Sequence, residues 1–150
     1  MKILLAIDGP KSSALAVEAT SVHPWPTGTI VRVLSVVDQA LTTAPEIAAL
    51  SAETIQTEYQ QRTQVADQQT TRFADWLASN GLATEKKVRE GNPKSVIVHE
   101  AEEWGADLIV VGSHGHTGLK GWLLGSVAQS VVSHAPCSVY IVRERTENQG

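Results

Sequence analysis

The sequence predicts an α/β protein in which one parallel sheet is covered by helices on both faces. Short apolar runs typical of buried strands alternate with segments of helical periodicity along the 150 residues. The connections are long enough to hold crossover helices, and such alternation is typical of a parallel sheet. A glycine-containing loop also interrupts the stretch 108–127, LIVVGSHGHTGLKGWLLGSV. We therefore expect one domain with a ligand site at the carboxyl edge of the sheet.

The first quarter of the chain predicts a strand, a helix and a second strand. Residues 2–7 are a nearly unbroken apolar run that stops at the turn Asp8-Gly9-Pro10. Ser12 or Ser13 caps the helix that follows, and the stretch HPWP ends it. Apolar residues of this helix recur at helical spacing at Leu15, Ala19 and Val22. Residues 29–37 are rich in β-branched residues and form the second strand.

The middle of the chain predicts a loop, a long helix and an edge strand. Segment 38–52 carries the breaker TTAP and is expected to be a surface loop whose inner part becomes helical. A long amphipathic helix follows, and Asn80-Gly81 ends it. Its apolar face contains Ile55, Tyr59, Ala66, Phe73 and Leu77. Residues 83–89 alternate weakly and carry several charges, which is typical of a strand near a sheet edge.

The last third predicts two further helix–strand pairs. Asn92-Pro93 begins a helix with Ile97, Ala101 and Trp104 on its apolar stripe, and Gly105 ends it. Residues 107–111 are the most apolar strand and should be central. After the glycine loop, Val127, Val131 and Val132 indicate a helix that stops before Pro136, and 137–142 form the last strand. The polar tail 144–150 should fray beyond a domain that spans 1–143.

Three strand ends carry the residues expected to form a site. Asp8 ends the first strand, residues 36–38 end the second, and Gly112 ends the fourth. With right-handed crossovers, ligands favour the switch point at the carboxyl ends of such strands. These ends converge if the first and fourth strands are neighbours.

The loop after Gly112 predicts an anion site. Its glycines allow tight turns and close approach of backbone N–H groups, and a helix begins near Gly125 or Ser126 with unpaired N–H groups facing the loop. The loop glycines are Gly112, Gly115, Gly118 and Gly121. The alternative is that they serve only as turn and cap residues.

Composition narrows the possible ligands and the cellular setting. The formal net charge of −4 and a pI near 5.7 argue against a general binder of nucleic acid or anionic membrane. A phosphate site must therefore be built locally. The single cysteine, Cys137, is interpreted as a small core residue, and the N-terminus lacks a signal pattern. No apolar run approaches the roughly 18 residues of a membrane span, so we expect a cytoplasmic protein.

The spacing Gly112-x-x-Gly115, nine residues, Gly125-Ser126 resembles the loop of the universal stress protein family. The resemblance extends from residue 1 to about 143 and includes Asp8, the segment VVD at 36–38 and the segment APCSV at 135–139. It implies a Rossmann-like fold of five parallel strands in the order 3-2-1-4-5. It also implies a homodimer paired through the last strand, and ATP with Mg²⁺ at the switch point.

The resemblance also implies roles for individual residues. Asp8 would bind the ribose hydroxyls, Val36 the adenine, and the loop and helix start the phosphates, through N–H groups and the Ser126 hydroxyl. The predicted nucleotide-binding residues are Ala6, Ile7, Asp8, Val36, Val111, Gly112, His114, Gly115, Gly125, Ser126 and Val127. The turn Gly9-Pro10-Lys11 departs from many relatives, which carry a serine soon after the aspartate.

Other interpretations of the loop and of the function stay open. The pair His114 and His116 could suggest a metal site, but no cysteine or carboxylate is near in sequence, and a contact with phosphate is favoured. Lys120 and Lys11 could neutralise phosphate charge or be solvated. No nucleophile elbow surrounds Ser126. A nucleotide-dependent stress-response protein is the first interpretation; a slow ATPase and a nucleotide-free dimeric interaction module are the alternatives.

Overall fold

The computed structural model describes residues 1–8, 10–39, 49–114 and 123–145. Strands and helices alternate through them in the predicted order. The elements are β1 Lys2–Ile7, α1 Pro10–Val22, β2 Ile30–Val37, α2 Ala52–Ser79, β3 Ala83–Glu90, α3 Pro93–Trp104, β4 Leu108–Gly112, α4 Ser126–His134 and β5 Ser138–Val142. Several residues discussed above lie outside the described ranges, namely Gly9, the breaker at 42–45, the loop 115–122 with Gly115, His116 and Lys120, and the tail 146–150.

The five strands form one parallel sheet in the order β3-β2-β1-β4-β5. The α/β fold class and the strand order implied by the resemblance are both confirmed. In the register, Leu5 of β1 lies beside Val33 of β2 on one side and Val110 of β4 on the other. β2 and β4 flank β1, so the carboxyl ends of these three parallel strands lie side by side. The strand order reverses between β1 and β4, and this edge is therefore the switch point of the sheet.

Both faces of the sheet are buried, as its apolar strands predict. Successive residues of β1 point to opposite faces, so Ile3, Leu5 and Ile7 join the core beneath α1 and α2, whereas Leu4 and Ala6 join the core beneath α3 and α4. Cys137 is half-buried and packs against the second core, in line with its interpretation as a small core residue. At the sheet edge, no residue of β3 is fully buried: four are exposed and four are half-buried.

Side chains cap the starts of two helices, and of these only the cap of α3 was predicted. The Ser51 side chain caps α2 by accepting from the Thr54 N–H, and the Asn92 side chain caps α3 by accepting from the Lys94 N–H. Gly105 ends α3 with φ of 71°, a left-handed conformation that costs side-chain-bearing residues free energy. Among the described helices, none combines the length and the hydropathy needed to cross a bilayer.

The predicted apolar spacing of α1 does not mark its buried face. Val22 is 76% exposed, and the fully buried positions are Ser13, Ala16, Val17 and Thr20. The reason is steric: the first turn of α1 follows directly from β1, which sets the helix rotation, and small residues then lie against the sheet. The longer side chain Leu15 lies at the border of this face.

A buried ionic cluster fixes α3 to the edge of the sheet. Glu100 of α3 is 1% exposed; its Oε1 accepts from Arg32 Nη1 at 2.7 Å and from Lys87 Nζ at 3.0 Å. Arg89 Nη2 lies 2.9 Å from Glu100 Oε2 without an aligned N–H, so that contact is an ion pair rather than a hydrogen bond. Arg32 also stacks on Trp104, 4.1 Å from the ring centre. We call these residues the Glu100 cluster.

Candidate functional site

A cleft opens where the carboxyl ends of β1, β2 and β4 meet. It contains about 540 Å³ of empty space, part of it continuous with solvent. Three helices, α1, α3 and α4, begin at this edge and close its sides. The lining residues are Ala6, Ile7, Asp8, Ser12, Ser13, Leu34, Val36, Pro93, Ile97, Val111, Gly112, Val127 and Ala128. The predicted convergence of Asp8, Val36 and Gly112 is therefore present in the structure.

The cleft has an apolar side and a polar side. Leu34 and Val36 of β2, together with Ile97 of α3, form an apolar wall that suits a flat ring system. Asp8 and the two serines of the first turn of α1 form the polar side. A carboxylate accepts hydrogen bonds through two oxygens, so Asp8 suits a ligand that presents neighbouring hydroxyl groups.

The first turn of α1 packs against the end of β4. A Cβ built at Gly112 would lie 3.5 Å from the Cβ of Ser12 and 3.6 Å from its carbonyl oxygen. The Ser12 hydroxyl donates to the Asp8 carbonyl at 2.5 Å, which closes the turn between β1 and α1. Ser13 is 2% exposed, and its Oγ has no hydrogen-bond partner among the described residues.

The start of α4 presents backbone donors beside Gly112. Gly125 is the residue before the helix, and its N–H donates to the Ser113 carbonyl at 2.7 Å. That N–H therefore already has an acceptor. The N–H groups of Ser126, Val127 and Ala128 open the helix and have no acceptor within it. The first turn carries no acidic residue, so the positive end of the helix dipole favours an anion there.

Several predicted phosphate contacts lie at the border of the cleft or beyond it. His114 is half-buried; its Nδ1 lies 3.0 Å from the Ser113 hydroxyl, and its Nε2 has no partner among the described residues. His114, Gly125 and Ser126 are close in the chain to residues that line the cleft, but they do not line it themselves. Gly115 lies outside the described ranges. Val111, Gly112 and Val127 line the cleft, as do Ala6 and Ile7.

Sequence reasoning missed part of the lining. The missed residues are Ser12, Ser13, Leu34, Pro93, Ile97 and Ala128. The sequence marks Pro93 as a helix start and Ile97 as a core residue, and both interpretations hold without suggesting a ligand. The prediction that Ser12 or Ser13 caps α1 is wrong, because α1 begins at Pro10 and both serines lie inside its first turn. The available signal was topological: every helix that enters from the carboxyl edge brings its first turn to that edge, so first-turn residues deserve the same weight as strand ends.

Metal-ligating side chains do not gather in the described part of the chain. No group of three or more His, Cys, Asp or Glu residues with ligating geometry occurs within 1–8, 10–39, 49–114 and 123–145. A magnesium ion that accompanies a nucleotide takes most of its ligands from phosphates and water and needs only one or two carboxylates. Asp8 is the carboxylate in the cleft, so the described donors fit an ion carried by the ligand rather than a dedicated protein site.

Together these features define a doubly wound α/β domain with one mixed apolar and polar ligand cleft at its switch point. The sequence matches the model of the universal stress protein family over residues 1–143. This chain belongs to the universal stress protein family, as the loop spacing indicated.

Individual relatives agree with this placement. Universal stress protein Sll1388 of Synechocystis is 39% identical over 84 residues, which cover 51% of this chain and 54% of that protein. The chain thus spans about half the length of that curated relative. Among solved structures, hypothetical protein MJ0577 has a TM-score of 0.86 at 26% identity and covers 97% of each chain.

Two similar structures hold adenine nucleotides. A universal stress protein in complex with cAMP has a TM-score of 0.60 at 25% identity, with 95% of this chain and 96% of that chain covered. A universal stress protein family protein from Arabidopsis thaliana with AMP bound has a TM-score of 0.64 at 20% identity, with 100% and 96% covered. At 20% identity, the similarity to the Arabidopsis protein shows a shared fold alone.

Proposed function

We propose that this protein binds an adenine nucleotide in the switch-point cleft and acts as a nucleotide-dependent regulatory protein of the stress response, in the cytoplasm. The cleft itself carries the proposal. Its apolar wall lies at β2, its carboxylate at the end of β1, and the start of α4 lies beside the end of β4, so the three follow the strand order β2-β1-β4 across one groove. These three chemistries match a base, a sugar and a phosphate in the order in which a nucleotide presents them.

Each part of the nucleotide has a proposed set of contacts. The adenine packs between Val36 and Ile97, the ribose hydroxyls donate to Asp8, and the phosphates accept from the N–H groups of Ser126 and Val127. His114 and Gly115 would complete the phosphate site from the adjoining loop, whereas the Gly125 N–H donates to the Ser113 carbonyl and positions the start of α4. ATP with Mg²⁺ is the proposed physiological ligand, the ion being held by phosphate oxygens with help from Asp8.

The relatives support the ligand class and the chemistry supports binding as the main activity. Solved structures of this fold contain AMP and cAMP, which share adenine, ribose and one phosphate. The described lining groups are apolar walls, hydroxyls, amides and one carboxylate, which are sufficient to bind and orient a nucleotide. Slow hydrolysis of ATP, the alternative activity, is measured separately as phosphate release over hours.

Calorimetric titration with adenosine, AMP, ADP, ATP and cAMP, with and without Mg²⁺, tests the proposal. Asp8→Ala should weaken AMP and ATP by about tenfold or more, since hydrogen bonds to a charged group contribute about 1.5–3 kcal/mol each. Analogues substituted at the 2′ and 3′ oxygens cannot make these bonds, so the same variant should barely change their affinity.

Asp75→Ala is the matched control for charge. Asp75 is exposed on α2, away from the cleft-lining residues, so this variant removes the same charge without touching the site. Absence of binding to every nucleotide by the unmodified protein would refute the proposed function. Equal losses for AMP and for the substituted analogues in Asp8→Ala would refute the ribose assignment alone.

The open edge of the sheet supports a homodimer. β5 lies at the end of the strand order, and Tyr140 on this strand is 38% exposed. An unpaired edge strand offers backbone donors and acceptors to a second copy of the same strand. We therefore propose pairing of two chains through β5.

A further inference from the structure

We propose that the Ser13 hydroxyl donates a hydrogen bond to the first phosphate of the bound nucleotide. Ser13 is thereby a specificity-determining residue of the cleft, which favours nucleotides over adenosine. This inference rests on the proposed function. It extends the phosphate site from the start of α4 across the cleft to the start of α1.

The environment of the Ser13 hydroxyl is the first argument. Buried hydroxyl groups elsewhere on the described helices bond to the carbonyl four residues earlier: Thr20 donates to Ala16 at 2.7 Å, and Thr70 donates to Ala66 at 2.6 Å. Ser13 is equally buried, at 2% exposure, but its Oγ has no partner among the described residues. A buried polar group without a partner costs about 1–3 kcal/mol, so a serine is an unfavourable choice here for stability alone.

The position of Ser13 along the groove is the second argument. The apolar wall lies on the β2 side of β1, and Asp8 lies at the end of β1 itself. The first turn of α1, in contrast, packs against the end of β4, with the Ser12 Cβ 3.5 Å from the Cβ position of Gly112. Ser13 belongs to the same first turn and lines the cleft, to which the start of α4 supplies amides for the phosphates.

The chemistry of the two serines separates their roles. The Ser12 hydroxyl is already committed to the Asp8 carbonyl, and it closes the turn. The Ser13 hydroxyl is a donor near the positive end of the α1 dipole, where an anionic acceptor is favoured. A phosphate oxygen satisfies that donor, and the ribose hydroxyls are directed to Asp8 instead.

Titration of Ser13→Ala with adenosine, AMP and ATP tests this assignment. AMP and ATP should each bind about tenfold more weakly, since both carry the first phosphate, whereas the affinity for adenosine should not change. The melting temperature of the ligand-free variant should equal or exceed that of the unmodified protein, because an unpaired buried hydroxyl has been removed. Ser13→Cys, which replaces the hydroxyl with a slightly larger and weaker donor, should show a smaller loss with the same ligand selectivity.

Ser21→Ala is the matched control. Ser21 lies on the same helix outside the cleft, and its hydroxyl donates to the Glu18 carbonyl. This variant should leave the affinity for all three ligands unchanged. Equal losses for adenosine and AMP in Ser13→Ala would overturn the phosphate assignment, and so would unchanged AMP binding with a lowered melting temperature, which indicates a structural role. Failure of the unmodified protein to bind adenosine, AMP or ATP would instead refute the proposed function, and this inference with it.

Discussion

The Glu100 cluster provides a direct test of how the cleft-forming helix α3 is held. Replacing Glu100 with glutamine keeps the shape of the side chain and removes its charge. Arg32, Lys87 and Arg89 would then lose their common buried counter-ion. Removal of one partner from a buried ion pair costs about 3–5 kcal/mol, because the remaining charge stays desolvated.

The expected magnitude lies at the lower end of that range. The three cations are 16%, 38% and 31% exposed, so water can partly replace the lost carboxylate. We expect Glu100→Gln to lower the free energy of unfolding by about 3 kcal/mol, which for a chain of this length corresponds to about 6–12 °C in melting temperature. Urea denaturation followed by circular dichroism measures the first quantity, and calorimetry measures the second.

Glu103→Gln is the matched control on the same helix. Glu103 also pairs with Arg89, at 2.7 Å, but it is 50% exposed. Its loss should cost less than about 1 kcal/mol, as is usual for exposed ion pairs. Equal stabilities of the two variants, or a loss below about 1 kcal/mol in Glu100→Gln, would refute the idea that burial makes the Glu100 cluster decisive.

The pH dependence provides a second signature of the same group. Burial opposes ionisation of Glu100, but the hydrogen bonds from Lys87 and Arg32 outweigh it, and the pKa of Glu100 is lowered from its ordinary value of 4.5. A carboxyl group with a lowered folded-state pKa contributes stability above its unfolded pKa and loses it as pH falls through the folded pKa. The stability difference between the unmodified protein and Glu100→Gln should be constant near neutral pH and shrink below about pH 4.5. A difference that grows in acid would contradict this assignment.

Two further predictions concern a helix end and the sheet edge. Gly105→Ala should lower the free energy of unfolding by about 1–2 kcal/mol, because φ at this position is 71°. No atom lies within 4 Å of the new Cβ, so the loss measured by urea denaturation reports backbone strain alone. An unchanged denaturation midpoint would contradict this prediction. Tyr140→Lys should convert the proposed β5 dimer into a monomer, since two like charges would meet at the paired edges. Light scattering measures the change in mass, and an unmodified protein that is already monomeric would refute the dimer.

Much of the fold could be predicted from the sequence because its signals are local. Continuous apolar strands such as 2–7 and 107–111 require burial on both faces, and Asn92-Pro93 and Gly105 mark the ends of α3 through backbone chemistry that acts within a few residues. The end residues of the strands were predicted for the same reason, and Asp8, Val36 and Gly112 do meet in one cleft.

Features that depend on the rotation and placement of whole helices could not be predicted in this way. The spacing of Leu15, Ala19 and Val22 suggested a face for α1, yet the sheet selects Ser13, Ala16 and Val17. Nothing local indicates that Glu100 should lie beneath three cations from two other strands, since those partners are 11 to 68 residues away in the chain.

The sequence by itself determined the order of strands and helices, the edge of the sheet at which the cleft lies, and the family. Only the tertiary structure decided which first-turn residues enter the cleft and which hydroxyl groups are left for a ligand. The physical reason is that secondary structure follows from interactions within a turn or a strand, whereas the rotation of a helix on a sheet is settled by packing between residues far apart in the chain.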